Sequence, residues 1–308
     1  MSIVLNDTEK AIGECWDKQT VNNSSKQKYW WHNSYVIRHI NKLVYNIDSP
    51  VFSSGLHKLL LSRLGGRQLT MGISIGCGSA IKELDILEMG IIDRFILFEL
   101  SEERIKLGLL NAEKRNLQNR IKYLHGNAFN FDFSNHKIDF VHWNNSLHHM
   151  LDVDVAVKWS YDILTPDGIF YMDDYVGPNR FQYPKYVLDL VNNIRDNLPK
   201  KYLQDQRNNQ KPRGHITNVD PEELMKNDPS EAADSGRILS SVSRYFKNAD
   251  IKPTGGIVYF IALHGLWENF NEKNDDDIFF LSQLLELDKH CTTKENFMSP
   301  YAVALATK

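Results

Sequence analysis

The sequence predicts an open α/β fold: seven strands in a mostly parallel sheet, helices on both faces, and a helical cap. Three observations carry that prediction. An apolar run at 71–75 passes straight into Gly76-Cys77-Gly78, and a helical pattern follows. Glycines at such a bend allow positive φ and a close approach of backbone to ligand. A second strand-like run, 94–99, ends in an acid, Glu99, which lies 23 residues after Gly76. An acid at that distance, at the tip of the second strand, is placed to bind both hydroxyls of a ribose. Further strand patterns recur at 121–125, 138–143, 169–173, 249–253 and 301–306, separated by helical ones.

Bulk properties bound the function. With 308 residues, 42% hydrophobic and 24% charged, the chain buries a sizeable core. A net charge of −3 gives no sign of nucleic-acid binding. Cys15, Cys77 and Cys291 are far apart and odd in number, without metal or disulfide spacing, which fits a reducing cytoplasm. The N-terminus has neither a basic leader nor a long apolar core, and no run reaches membrane-spanning length.

The elements read as follows. Residues 1–28 are polar, a loosely held arm or first helix. Val36, Ile37, Ile40, Leu43 and Val44 recur at helical spacing after Tyr29-Trp30-Trp31. Adjacent tryptophans cannot face one way, so one packs inward while Trp30 or Trp31 is a candidate lid over cofactor or sugar. The exposed aromatic helix is also a candidate dimer contact. A leucine-rich helix at 55–64 stops at Gly65-Gly66. Helix 81–89 follows the glycine bend and closes at Gly90. Ser101 caps the next helix, with Glu102 and Glu103 in its first turn.

The third strand leads into Gly126-Asn127-Ala128, and the fourth into Asn144-Asn145-Ser146-Leu147-His148-His149. Helix 154–164 and the turn Thr165-Pro166-Asp167-Gly168 precede the fifth strand. That strand delivers Asp173-Asp174-Tyr175 and, beyond it, Arg180 to the mouth of the sheet. Two acids, a tyrosine and an arginine at a strand tip predict a substrate-facing group. Lys200, Lys201, Arg207, Lys211 and Arg213 make a basic loop, read as a solvated face. Helices are expected to start at Asp220 and at Asp228, over 257–270 with His264 and Trp267 on it, and over 278–290.

The ligand is narrowed by what the bend lacks. A dinucleotide fingerprint wants a third glycine, and Ile81 stands there. A glycine turn plus a ribose acid without a phosphate cradle suits S-adenosylmethionine (SAM). Here the chain resembles the class I SAM-dependent methyltransferases, whose first motif usually reads acid or small residue-x-G-x-G-x-G. Ser74 stands where an acid is common and Ala80 where a third glycine is common. The family's G-D-A turn appears as Gly126-Asn127-Ala128, and its L-x-P-x-G turn precedes the fifth strand.

The resemblance implies a Rossmann-like methyltransferase sheet at 66–308, with helical insertions at about 175–245 and 257–290 and an N-terminal helical cap or lid at 1–65. It implies SAM as cofactor, S-adenosylhomocysteine (SAH) as product, and a cofactor site of Gly76, Cys77, Gly78, Glu99, Leu100, Asn127, Ala128, Asn144, Asn145 and His149. Asn127 offers its amide oxygen to the adenine amino group. His148 is the candidate base, with Asp173, Asp174 and Tyr175 as further catalytic candidates. Trp30, Trp31, Arg180 and His264 are the candidate substrate-binding residues, Arg180 for a carboxylate or phosphate. No third ligand accompanies the acid pair, so no metal is assigned.

Tyr29-Trp30-Trp31 with His39-Ile40-Asn41, the run 173–182, Asp228-Pro229-Ser230-Glu231-Ala232 and Gly255-Gly256 together resemble a bacterial methyltransferase group associated with capsule and surface-glycan biosynthesis. That resemblance implies a small acceptor, a sugar or phosphorylated precursor. Two other classes stay open: a NAD-type oxidoreductase and a non-catalytic SAM-binding protein.

Overall fold

The computed structural model of the chain describes residues 4–22, 28–206, 211–293 and 297–308; Arg207 of the basic loop lies outside them. Helix α1 spans Asp7–Asn22, α2 Ser34–Tyr45 and α3 Ser54–Leu64. Then come β1 (Leu69–Ile75), α4 (Ile81–Glu88), β2 (Ile92–Glu99), α5 (Glu102–Lys114), β3 (Ile121–His125) and β4 (Ile138–Asn144). After α6 (Val153–Ile163) and β5 (Leu164–Tyr175) the chain leaves the sheet for α7 (Lys185–Asp196), α8 (Pro221–Asn227) and α9 (Ile238–Tyr245). It closes with β6 (Asp250–Gly255), α10 (Asp275–Thr293) and β7 (Tyr301–Thr307).

The seven strands form one sheet in the order β3-β2-β1-β4-β5-β7-β6. The first five pair in parallel, and β7 runs antiparallel between β5 and β6. This is the expected sheet. Strand order reverses between β1 and β4, and in an open α/β sheet ligands settle at the carboxyl ends beside such a reversal. Covered on both faces, the central strands read as continuous apolar runs: Ile73, Phe140, Val141, Trp143 and Phe170 are fully buried. At Gly72 an added Cβ would fall 2.6 Å from Phe95, so the small residue lets that ring pack across β1.

Two expected helices do not form as read. In place of a helix over 257–270 there is one π-helical turn, Ile257–Ala262, and a short 3-10 turn, Trp267–Asn269. Gly265, at φ +72, bends the chain between them. Its Cβ position faces the Arg213 guanidinium at 2.9 Å, leaving no room for a continued helix face. Asp228 likewise starts no helix. Its carboxylate accepts from the Ser230 N–H and hydroxyl, Ala232 takes φ +48, and helix returns only at Ser235–Arg237 and α9. The result is a buried loop at 228–234, beside the sheet mouth. The N-terminal segment is ordered as α1, packed on α5.

Candidate active site

The bend after β1 is built around Glu99. Gly76 and Gly78 both take positive φ, +61 and +55. The Gly78 N–H donates to Oε2 of Glu99 at 2.6 Å, while Leu100 N–H and Ser101 N–H donate to Oε1 at 2.8 and 2.9 Å. The carboxylate is thus fixed at the strand tip by three backbone donors, with capacity left for further donors. An added Cβ at Gly76 would lie 2.9 Å from the Ser146 Cβ, so the bend and the loop after β4 leave only a narrow gap.

Around this bend lies a crevice of 410 Å³. Gly76, Glu99, Leu100, Asn127, Ala128, Asn145 and His149 line it, as the sequence predicts; Cys77, Gly78 and Asn144 do not. One wall is α1, which contributes Glu9, Ile12 and Trp16, none of them anticipated. Arg104 of α5 lays its guanidinium 4.0 Å above the Trp16 ring, and burial depresses its pKa. The Ser146 hydroxyl, at the same wall, is buried with no protein partner. Two acids absent from the motifs have carboxylates nearby. Beside Ser74, Glu83 accepts from the Ser74 hydroxyl at 2.6 Å and pairs with His142 Nδ1 at 2.8 Å. Beside Asn127 stands Glu9, which accepts from the Asn127 amide at 2.6 Å.

A second cavity, of 850 Å³, opens on the other side of the β4 loop. Trp16, Asn145 and His149 line both spaces. Its walls are aromatic: Trp30, Trp31, Phe52, Tyr175, Phe181 and Phe260 come from distant parts of the chain. Trp30 is buried against Tyr259 and Tyr301, with its indole N–H unpaired, while Trp31 is 43% exposed and stacks on Tyr29. Both tryptophans therefore face the second cavity rather than covering the crevice. His264 lines this cavity as predicted. So does Lys82, whose ammonium lies over the Phe52 ring and whose pKa burial brings down to about 8.

The predicted catalytic residues separate into three roles. Asp174 is fully buried and accepts from Ser146 N–H at 2.9 Å, Leu147 N–H at 2.8 Å and His148 Nδ1 at 2.5 Å. It fixes the β4 loop and the His148 ring. The far nitrogen of His148 lies 3.5 Å from Glu231 Oε1, so the imidazole bridges two carboxylates. Burial opposes its charge, but Asp174 and Glu231 outweigh that and push the His148 pKa up to about 10. The sequence reading of His148 as a neutral base gives way to an imidazolium beside an ionised Glu231. Burial pushes the Glu231 carboxyl up, and the hydrogen bond and positive charge of His148 pull it below its ordinary value.

His149 is the opposite case. Burial and the His148 charge depress its pKa to about 3, so it is neutral. The Ser230 hydroxyl donates to Asp228 Oδ1 at 2.6 Å and therefore accepts from His149 Nδ1–H at 3.0 Å, which leaves Nε2 as the acceptor nitrogen. Asp173 is raised to about 6 by burial, and Lys82 is its nearest opposing charge; it lines a small separate cavity. The Tyr175 hydroxyl donates to the Pro178 carbonyl at 3.1 Å, so the ring serves as wall. Arg180 is a correction: its guanidinium donates to the carbonyls of Glu231 and Pro229, each at 2.8 Å, and lines neither cavity. It anchors the 228–232 loop at an unusual φ of +54.

His148, His149 and Glu231 offer metal-ligand atoms within 4.8 Å of one another. Each already has a protein partner: His148 lies between two carboxylates, Glu231 pairs with His148, and His149 bonds the Ser230 hydroxyl.

Glu231 was missed as a site residue because the sequence shows it only as the fourth residue of an expected helix start. Glu9 and Trp16 were missed because α1 carries no motif.

Residues 73–172, from β1 to β5, match the family model described as a methyltransferase domain. No curated protein matches the sequence. Among solved structures, the cyclase SpnF is similar over 100% of this chain and 99% of its own, at 14% identity and a TM-score of 0.52. The Haemonchus contortus phosphoethanolamine N-methyltransferase 2, solved with phosphomonomethylethanolamine and SAH, matches 99% of this chain and 60% of its own, at 12% identity and TM-score 0.52. The Streptomyces coelicolor geranyl diphosphate C-methyltransferase, solved with Mg2+, a geranyl thiolodiphosphate and SAH, matches 98% of each chain at 10% identity and TM-score 0.50. At these identities the likeness concerns the fold.

Proposed function

We infer that the chain is a SAM-dependent methyltransferase acting on a small molecule, with residues 73–172 as its methyltransferase domain. The observation that carries this reading is the junction of two spaces. The crevice with the ribose acid and the aromatic cavity meet at Trp16, Asn145 and His149. A group passed from one to the other crosses there.

The crevice suits SAM on its own residues. Glu99 takes the ribose hydroxyls, and Ala128 and Phe129 face the base. Arg104, the cation in the crevice wall beside Gly78, takes the amino-acid carboxylate. The unpaired Ser146 hydroxyl gains a partner. Nothing in this wall resembles a pyrophosphate cradle, which separates the reading from a NAD-type oxidoreductase. Bound SAM supplies a methyl group on a sulfonium, taken up by in-line displacement.

The chain's own residues align the acceptor, take its proton and exclude water. The acceptor lies among the aromatic rings with its hydroxyl or amine at the His149 wall. Glu231, ionised and facing that cavity, accepts the proton the acceptor loses. His148 holds Glu231 in place and is itself held by Asp174. Asp174 and Arg180 are therefore positioning residues, one for the histidine and the other for the Glu231 loop.

For the acceptor, the glycan-group resemblance supports a sugar or sugar precursor, and aromatic faces suit the C–H face of a sugar ring. With Arg180 turned away, Lys82 is the one Lys or Arg side chain in the cavity wall among the described residues. That favours an acceptor with at most one phosphate. A screen of sugars, nucleotide sugars, phosphorylated precursors and amines with methyl-labelled SAM identifies it. Titration calorimetry with SAM and NAD tests the class: tight NAD binding without SAM binding ends the methyltransferase reading.

A further inference from the structure

The turn after β3 lacks the acid its motif leads one to expect, and the structure brings a different one to the same place. Asn127 uses its amide oxygen to accept the Phe129 N–H at 3.0 Å. Its amide nitrogen donates to Glu9 Oε1 at 2.6 Å, across 118 residues of sequence. Both ends of the Asn127 side chain are thus engaged: its oxygen keeps one lone pair, as each Glu9 oxygen does, but it carries no charge to offer an amino group.

Glu9 is held as firmly. It is 7% exposed and lines the crevice together with Asn127, Ala128 and Phe129. Its Oε2 accepts the Asn6 N–H at 2.9 Å, and Asn6 Oδ1 returns a bond from the Glu9 N–H at 2.9 Å. Helix α1 is seated on the loop that leaves the ribose acid. At Gly13 an added Cβ would fall 2.5 Å from the Leu100 carbonyl oxygen, a contact only glycine permits. One turn on, Asp17 accepts from the Ser101 hydroxyl at 2.6 Å and from the Glu103 N–H at 3.1 Å. The helix that carries Glu9 is therefore registered against the segment that follows β2 at two positions, Gly13 and Asp17.

We propose that Glu9, not Asn127, accepts the exocyclic amino group of the cofactor's adenine, and that Asn127 is the residue that positions it. The assignment rests on the reading of the crevice as a SAM site. Each Glu9 oxygen has one acceptor position left after its protein bond. An amino group donates to it. A 6-oxo purine in the same place sets lone pair against carboxylate.

The test uses the full chain and two ligands that differ at that one position, SAH and S-inosylhomocysteine, titrated calorimetrically. Wild type is expected to prefer SAH by about 100-fold, the size of one charged hydrogen bond. Glu9→Gln, which keeps shape and can donate to a 6-oxo group, is expected to narrow that preference to under about tenfold. Asn127→Ala, which removes the amide and leaves the acid in place, is expected to keep the preference above about tenfold. A merely structural role for the pair would alter melting temperature and both affinities together, leaving their ratio untouched. Glu9→Gln with the wild-type ratio intact overturns the assignment. Should that variant fail to fold, Asn127→Ala decides alone: a ratio near one overturns it. A folded wild type that binds neither ligand overturns the SAM reading itself, and Glu9 with it.

Discussion

The crevice and the aromatic cavity share a wall yet are built in opposite ways. The crevice is made mostly of backbone and short side chains at strand ends, where the sheet dictates position: Gly76, Glu99, Ala128 and Asn145. The aromatic cavity is made of large rings from the 3-10 turn Trp30–His32 before α2, from β5, from the 179–183 segment and from the π-helical turn. The first can be conserved by topology alone. The second can be repacked ring by ring without touching the sheet. A scaffold so divided keeps one cofactor while its acceptor changes.

If the two spaces divide the work, variants should divide their effects. Glu231→Gln is expected to lower kcat by about 10²- to 10⁴-fold, the range for a lost proton acceptor, with SAH affinity within about twofold of wild type. A fall in SAH affinity of the same size would place Glu231 in the cofactor site. Glu99→Ala should do the converse, weakening SAH by about 10²- to 10³-fold through two lost charged hydrogen bonds. Calorimetry that finds SAH affinity unchanged would remove the ribose assignment.

The adjacent histidines at the shared wall offer a third test, read in stability rather than activity. His148 has a pKa raised to about 10 in the folded chain. Between about pH 6.5 and 10 the native state binds the extra proton, so its contribution is full below 6.5 and is lost as pH rises through 10. His149, depressed to about 3, acts in reverse: its contribution is full above about pH 6.5 and is lost as pH falls towards 3. Melting temperature should fall on both sides of near-neutral pH. His148→Gln should flatten the alkaline limb, and His149→Gln the acid limb; a variant that flattens the opposite limb would show the two assignments exchanged. The smallest effect belongs to Arg104→Leu, expected to cost SAH about tenfold through one partly buried ion pair, with acceptor KM unchanged.

Much of the crevice was legible because its chemistry sits where strand ends meet fixed loops. Gly76-x-Gly78 followed by Glu99 could be found by spacing, and the seven strands by their apolar runs. What could not be read was contact between remote segments. Nothing in the pattern of α1 ties Glu9 to Asn127 or Trp16 to Arg104. Arg180 looked like an anion grip, but its two carbonyl partners lie about fifty positions further along the chain, in the loop around Glu231.

Several residues behind the glycan-group resemblance prove to be fasteners. His39 pairs with buried Asp288 at 3.0 Å, and the same carboxylate accepts from Gly256 and Val258 N–H. Asn41 ties Ser49, Val51 and Gly55 together. Such positions report a shared scaffold, and they say little about what enters the aromatic cavity.

Trp16 stands in both walls on a helix that packs on α5, with Asp17 bonded to the Ser101 hydroxyl and the Glu103 N–H at the start of that helix. Swinging that helix aside would unroof both chambers in a single motion. With both chambers opened by one motion, neither product would be confined behind the other, and product inhibition patterns would record release without a fixed order.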